Sequence, residues 1–260
     1  MSLRIDACVA QHQGDRKEQQ DRVAIVPHSR ARGVVLAIVA DGMGGHTGGV
    51  LAAEQVVHTA RNNLEHFSPA DETARYLLEN SMREAHTMIK ASRFMNEKDP
   101  HSTAVMLLLQ PGCISWGYCG DSRMYRFHNE KMVFRTTDHS YVEHLVATGK
   151  ITPEAALTHP NRNILLTSLG GREEPRFDFG EARDLAGGDS FMLCSDGLWS
   201  NVTSSDIAGA LDMDAAAACR KLVDLALEHG GDDNATAMVI HVREAGQRLE
   251  TPQGWRRLFS

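Results

Sequence analysis

Two aspartates in this chain each follow an apolar run and stand directly before a glycine: Asp41-Gly42 in GVVLAIVADGMGG and Asp196-Gly197 in SFMLCSDGLWS. A third carboxylate, Asp233 in GGDDNATAMVIHV, stands just ahead of the last apolar run. Each would place a hard oxygen ligand at the end of a strand, where a rigid sheet can aim it. Strand ends this far apart in sequence meet only if their strands lie side by side or face to face. Because carboxylates that meet without a cation repel one another, the pattern predicts bound metal.

Either Asp-Gly pair alone would be explained by an ordinary turn, since Asp-Gly after a strand is a common turn signal. Neither pair is followed closely by an alternating strand that would complete a tight hairpin: Asp41 leads into GMGGHTGG and Asp196 into Gly-Leu-Trp. The glycine-rich segment also fails as a nucleotide-binding loop, because Gly42-x-Gly44 is followed by Thr47 where that loop needs a third glycine. Close approach of the backbone to a bound metal explains these glycines better.

Length and composition limit the class of protein. With 260 residues and 42% hydrophobic content, the chain can bury one substantial core and form a single large domain. No apolar run approaches the roughly 18 residues of a membrane span, and residues 1–10 lack the apolar stretch of a signal peptide, so we expect a soluble, cytoplasmic protein. The net charge of -7, with dispersed lysine and arginine, argues against nucleic acid as a principal partner. The five cysteines show no C-x-x-C pair and are expected to be buried thiols in a reducing compartment.

The periodicity of apolar residues predicts the secondary structure. Strands are predicted near residues 5–11, 22–27, 33–40, 104–109, 113–119, 123–127, 132–135 and 235–242. Helical spacing predicts helices over residues 50–67, over 74–89 after a cap-like Ser68-Pro69 region, and over 215–227. Short turns between the central strands indicate antiparallel hairpins. Short helices over 140–148 and 153–157, followed by THPNRN, form a candidate flap over a site, although a plain surface excursion explains them equally well. Paired helices and antiparallel strands together favour an α+β layered domain.

Nine motifs occur in a fixed order along the chain: DRKEQQD, ADGMGGHTGG, STAV, GDSRMYR, TDHS, GKITPEAALTHPNRN, SLGG, CSDGLW and GGDDNATAMVI. In this order and spacing the chain resembles the metal-dependent serine/threonine protein phosphatases of the PPM, or type 2C, family, and looks like its bacterial branch. The resemblance covers roughly residues 3–242. It implies an α+β fold, a four-layer αββα sandwich with two central antiparallel sheets between helix pairs. It also implies a catalytic domain over residues 1–242 and a flexible tail over 243–260.

The resemblance implies a centre of two Mn²⁺ or Mg²⁺ ions at one end of the sandwich. In this family's pattern Asp41 would bridge both ions and the Gly42 carbonyl would ligate one, while Asp196 and Asp233 would hold the other. Asp121 matches the position that, with Asp196, supports a third and weaker ion; a turn residue after a strand is the other explanation for it. The implied reaction is hydrolysis of phosphoserine or phosphothreonine by a metal-activated water, without a phosphoenzyme.

Two further residues would act on the phosphate and on the water. Arg16 offers a planar fork to two phosphate oxygens, although a solvated arginine in a charged loop is the plain explanation. Asp21 would orient metal-bound water or a ligand, and could equally be a residue that begins a strand. The implied partners are phosphorylated proteins made by a serine/threonine kinase, and the chain is expected to be a monomer without nucleic-acid or membrane partners. The alternative is a catalytically weak, phosphoprotein-binding pseudophosphatase.

The donor chemistry agrees with this interpretation independently. Carboxylate, carbonyl and water oxygens suit Mg²⁺ and Mn²⁺, whereas zinc favours His and Cys, and the 13 histidines form no zinc motif. Two such ions share a water and lower its pKa. A cysteine phosphatase would need a C-x-x-x-x-x-R loop, and Cys119 has Arg123 at four residues instead.

The chain departs from the family pattern at three places. Residues 19–21 read QQD where the family usually reads Asn-Glu-Asp, so Gln20 replaces a carboxylate that helps to hold metal-bound water, and metal affinity is expected to be weaker. Met43 occupies the position of a histidine proposed as general acid in animal members, and His46 nearby is interpreted as an ordinary loop residue. Thr167 replaces an arginine that is common before the SLG-like turn.

Overall fold

A computed structural model describes residues 3–44, 47–93 and 99–246 of the chain. The strands are β1 (Arg4–His12), β2 (Arg22–Pro27), β3 (Val35–Ala40), β4 (Gly42–Met43), β5 (His101–Ser102), β6 (Ala104–Gln110), β7 (Cys113–Cys119), β8 (Arg123–His128), β9 (Lys131–Arg135), β10 (Asp178–Ala182), β11 (Asp189–Cys194) and β12 (Ala235–Glu244). The helices are α1 (Thr47–His66), α2 (Ala74–Ser92), α3 (Tyr141–Ala147), α4 (Pro153–Leu157), α5 (Asp196–Trp199), α6 (Ser204–Leu211) and α7 (Ala215–His229).

Two five-stranded antiparallel sheets form the centre of the molecule. Their strand orders are β1-β12-β11-β8-β9 and β10-β7-β6-β3-β2, and β4 pairs with β5 in a small separate ladder. The inner strands are apolar on both faces because each face is covered. In β6, for example, Val105 and Leu107 belong to the core between the sheets, while Met106 and Leu108 belong to the core beneath the helices.

Helices cover the outer face of each sheet. The helices α1 and α2 pack on the sheet that contains β3 and β6, where Leu64, Leu78 and Met82 are buried. The helices α6 and α7 pack on the other sheet through residues that include Ile207 and Leu222. The layers therefore run helices, sheet, sheet, helices, and the predicted αββα sandwich is confirmed.

The predicted helix and strand positions agree with the structure apart from several local differences. The helix α2 is capped by Thr73, whose Oγ1 accepts a hydrogen bond from the Tyr76 backbone N–H, and not by the Ser68-Pro69 region. Strand β10, the short strands β4 and β5, and helices α5 and α6 have no counterpart among the predictions. Strand β12 continues to Glu244, so the predicted tail begins too early, and residues 247–260 of that tail lie outside the described residues. Within the described chain, no helix has the length and apolar character to cross a membrane.

Candidate metal-binding active site

One cavity of about 420 Å³ lies at the end of the sandwich where β3, β7, β11 and β12 meet their loops. Four of the predicted aspartates line it together: Asp41, Asp121, Asp196 and Asp233. Glu18, from the loop between β1 and β2, lines it as well. The structure thus brings carboxylates from five distant segments of the chain to one opening. The strand-end pattern predicts this meeting for Asp41, Asp196 and Asp233.

Asp41 is positioned through its backbone by the STAV segment. The Thr103 N–H donates to the Asp41 carbonyl at 2.9 Å, and the Asp41 N–H donates to Thr103 Oγ1 at 3.0 Å. The Ser102 hydroxyl donates to the same Asp41 carbonyl at 3.1 Å. Gly42 follows at a place that excludes any side chain, because a Cβ there would stand 2.1 Å from the carbonyl oxygen of Gly49. The start of α1 therefore lies directly against the backbone of the residue predicted to supply a carbonyl ligand.

Asp121 lies in a turn that His139 and Trp199 hold in place. The turn begins at Gly120, where φ is +100° and a residue with a side chain would be strained. The Gly120 N–H donates to His139 Nδ1 at 3.2 Å, and the His139 N–H donates back to the Gly120 carbonyl at 2.9 Å. On the other side, Trp199 Nε1 donates to the Asp121 carbonyl at 2.9 Å. These contacts fix the direction in which the Asp121 side chain enters the cavity.

The indole of Trp199 is itself held by a buried ion pair. The Arg123 guanidinium carbon lies 3.4 Å from the centroid of the Trp199 ring. The same guanidinium bonds Asp138 through two nitrogens, at 2.8 and 2.6 Å, with side-chain exposures of 13% for Arg123 and 5% for Asp138. The GDSR, TDHS and DGLW segments thus form one chain of contacts that ends at Asp121.

Asn234 directly precedes β12 and connects the start of that strand to the loop between β1 and β2. Its Nδ2 donates to the carbonyls of Gln13 and Glu18, at 2.8 and 3.1 Å, and its Oδ1 accepts from the Gln20 N–H at 2.7 Å. Asp233 is the preceding residue, so this clamp sets the loop and its arginine beside a proposed metal ligand. Asn234 is 5% exposed, and it was not predicted as a site residue, although it stands within the GGDDNAT motif.

Arg16 lies at the mouth of the cavity and forms an ion pair with Asp233. The distance between Arg16 Nη2 and Asp233 Oδ2 is 2.6 Å, and 57% of the arginine side chain is exposed. Its position is compatible with the predicted contact to a phosphate group, because the exposed part of the guanidinium can face a ligand that enters from solvent.

Asp21 lies beneath the cavity and is 1% exposed. Its Oδ2 accepts hydrogen bonds from Ser195 Oγ at 2.8 Å and from Thr236 Oγ1 at 2.5 Å, while its Oδ1 has no partner among the described residues. Through Ser195 it supports the segment that carries Asp196. Asp21 is absent from the cavity lining, and its role of orienting metal-bound water or a ligand stays a prediction.

The carboxylates of the site disfavour one another's charge. Burial, followed by the charges of Asp21, Asp196, Asp121 and Asp233, holds the pKa of Asp41 well above its ordinary value. Burial and the charge of Asp196 likewise hold the pKa of Asp121 well above normal, and burial with the charge of Asp233 raises the pKa of Asp196. Burial raises the pKa of Asp21 to about 7. A divalent cation would oppose these shifts, because its positive charge favours the ionised carboxylates.

The donors fit hard divalent cations. The cavity lining offers carboxylate, amide and backbone oxygens, and neither His nor Cys is among the described residues that line it. No group of three or more His, Cys, Asp or Glu side chains in the described part of the chain is arranged to hold an ion on its own. A cation here would therefore need water and the Gly42 carbonyl besides carboxylates, which is the kind of coordination that Mg²⁺ tolerates well.

The remaining predicted features are placed as follows. The candidate flap contributes Asn163 to the cavity lining, and Leu165, just beyond the flap, and Met43 line it as well. Thr167 lies outside the lining, where its Oγ1 accepts a hydrogen bond from the Arg176 N–H at 3.0 Å. His46 lies outside the described residues.

Comparison with known proteins identifies the family. The sequence model described as Protein phosphatase 2C matches residues 10–237, and the chain belongs to this family. The serine/threonine protein phosphatase PstP of Mycobacterium tuberculosis is 34% identical over 214 residues, which make up 81% of this chain and 41% of that protein. The protein phosphatase PhpP of Streptococcus pneumoniae is 30% identical over 219 residues, 82% of this chain and 87% of that protein. The resemblance drawn from the nine motifs is thereby confirmed, while the chain spans only about two fifths of the length of PstP.

Solved structures agree in fold. The crystal structure of the Mycobacterium tuberculosis serine/threonine phosphatase PstP/Ppp superposes with a TM-score of 0.82 at 29% identity, covering 93% of this chain and all of that one. The catalytic domain of PstP in complex with two manganese ions superposes with a TM-score of 0.79 at 30% identity, over 94% of this chain.

Proposed function

We propose that this chain is a metal-dependent protein phosphatase that removes phosphate from phosphoserine and phosphothreonine. The observation that carries the proposal is the convergence of Asp41, Asp121, Asp196 and Asp233 on one cavity, with an exposed arginine at its mouth. The manganese ions of the PstP catalytic domain support the choice of cofactor, two Mn²⁺ or Mg²⁺ ions. Asp41 and the Gly42 carbonyl would hold one ion, Asp41 would also reach the second with Asp196 and Asp233, and Asp121 would add a third, weaker site.

Two such cations supply hydroxide near neutral pH by lowering the pKa of a water that they share. The protein's own groups orient the substrate around it. Arg16 donates to phosphate oxygens at the mouth of the cavity, and Asp21 fixes Ser195 and Thr236 beneath it. Asn163 and Leu165 close one side of the opening.

A covalent phosphocysteine route is disfavoured by the thiols nearest the site. Cys119 is buried, and burial raises the pKa of its thiol to about 12. Burial also raises the pKa of Cys194, which ends the strand before Asp196. Thiols of this kind carry little thiolate at neutral pH and are poor nucleophiles. Direct attack by water on phosphorus therefore remains the reaction that the site supports.

The substrates would be phosphoproteins produced by a serine/threonine kinase, met in the cytoplasm by a monomeric enzyme. All five cysteines are free thiols, which supports a reducing compartment. The exposed mouth of the cavity, with Arg16 and Lys17 beside it, suits a phosphorylated segment that lies on the protein surface.

Phosphate release from a phosphothreonine peptide, measured during a Mn²⁺ titration, tests the proposal. Wild type should require the metal, and Asp41→Asn and Asp233→Asn should each lose at least about a hundredfold in kcat/KM, since each removes charge from the centre that stabilises the transition state. Asp232→Asn is the matched control because Asp232 is exposed and does not line the cavity. Peptide binding without phosphate release at saturating Mn²⁺ would instead identify a phosphoprotein-binding pseudophosphatase.

A further inference from the structure

Glu18 is a further acidic residue in the wall of the proposed metal centre. The residue lines the same cavity as the four aspartates. Its Oε2 is buried and has no hydrogen-bond partner within the part of the chain that the structure describes. A buried charged oxygen without a donor is costly, so the position calls for a cation or a donor from outside the protein.

The nearby basic side chain does not satisfy this oxygen. Arg16, two residues before Glu18, lines the same cavity, but its Nη2 bonds Asp233 at 2.6 Å. Glu18 Oε2 thus remains without a partner even though a guanidinium is close by in sequence.

The backbone at Glu18 and just after it is fixed, which restricts the region that its side chain can occupy. The Glu18 carbonyl accepts a hydrogen bond from Asn234 Nδ2, and the Gln20 N–H donates to Asn234 Oδ1. Asn234 is buried and directly follows Asp233. The clamp that aligns Asp233 therefore also sets Glu18.

We propose that Glu18 is a further carboxylate of the divalent-cation centre and strengthens cation binding through its negative charge in the cavity wall. It acts on the side of the cavity where Gln20, also in the lining, offers a neutral amide. The weaker metal affinity expected from Gln20 is then offset by a carboxylate two residues earlier. This inference rests on the proposed function, and it concerns a positioning residue and not a catalytic one.

Calorimetric titration of the full chain with Mn²⁺ tests the inference without reference to turnover. Glu18→Gln should weaken Mn²⁺ binding about tenfold or more, the range seen when groups that orient metal ligands are removed. The matched control is Asp15→Asn, which removes the same charge from an exposed position in the same loop outside the cavity lining. Its Mn²⁺ affinity should stay within about twofold of wild type, because exposed charges are largely screened.

Two further variants keep the test decisive. Gln20→Glu in the Glu18→Gln background should restore most of the lost affinity, since it returns one carboxylate to the same side of the cavity. Glu18→Asp keeps the charge but shortens its reach, and should also bind Mn²⁺ more weakly than wild type. Thermal melting with chelator present confirms that each variant is folded.

A failure of the inference about Glu18 can be distinguished from a failure of the proposed function. Equal Mn²⁺ affinities for Glu18→Gln and Asp15→Asn would overturn the role of Glu18 while leaving the metal-dependent phosphatase intact. Absence of Mn²⁺ uptake by wild type would overturn both the proposed function and this inference. A tenfold loss of Mn²⁺ affinity in Glu18→Gln that Asp15→Asn does not share, and that Gln20→Glu reverses, supports the inference.

Discussion

The ion pair between Arg123 and Asp138 should be the most stabilising charged contact near the site, and Arg123→Met tests this. Both side chains are nearly buried and are joined by two short hydrogen bonds. Removing the guanidinium leaves the Asp138 carboxylate buried without its ion-pair partner, which costs about 3–5 kcal/mol. The variant also removes the group stacked on Trp199, so the orientation of Asp121 should loosen.

Urea unfolding with chelator present, followed by circular dichroism at pH 7, measures the loss. Arg4→Met is the control, because the Arg4–Glu244 pair is exposed, at 66% and 42%, and should contribute no more than about 1 kcal/mol. The double variant Arg123→Met/Asp138→Leu removes both charges and should recover most of the stability. A cost for Arg123→Met no larger than that of Arg4→Met, or a double variant as unstable as the single one, would refute the reasoning.

Two further predictions concern the residues around the metal centre. The folded pKa of Asp21 is about 7 against an ordinary value of 3.8. As pH rises between these values, the free energy of unfolding of the chelated protein should therefore fall relative to that of Asp21→Asn, by up to about 1.4 kcal/mol per pH unit. Parallel pH profiles of the two proteins in urea titrations would contradict this. Gly42→Ala should destabilise the protein by several kcal/mol and abolish Mn²⁺ uptake in calorimetry, because its Cβ would lie 2.1 Å from the Gly49 carbonyl oxygen. Gly209→Ala is its control, since open space surrounds that site in α6, and it should gain about 0.5–1 kcal/mol. Equal melting temperatures for the two glycine variants would show that the close approach at Gly42 is not restrictive.

Much of the fold could be predicted because buried faces of strands and helices require recognisable patterns of apolar residues in the sequence. The continuous apolar runs of β3 and β6 follow from a sheet covered on one side by helices and on the other by a second sheet. The stripes of α1 and α2 follow from one buried face. Strand β10, by contrast, is half-buried and reads DFGEA, so it carries neither an apolar run nor clear alternation.

The site was predictable only in part, and for a physical reason. The aspartates are recognisable because each sits at the end of an apolar strand, which is a local signal. The clamp by Asn234 and the buried support by Ser195 and Thr236 depend on the pairing of β1 with β12, in which Gln11 faces Thr236. That register joins segments more than 200 residues apart in sequence, and nothing local in the sequence specifies it. The role of Glu18 depends on the same register, because its backbone is fixed from β12.

The position of β12 between β1 and β11 has a consequence for how the protein folds during its synthesis. Strand β1 is synthesised well before β12 and cannot pair until β12 is made, because β12 is its only ladder partner within the described chain. A nascent polypeptide that stops before residue 233 lacks both Asp233 and the strand that would unite two open sheet edges. Truncated products are therefore expected to be inert towards phosphoproteins and prone to aggregation, and hydrolysis should begin only after synthesis of nearly the whole domain.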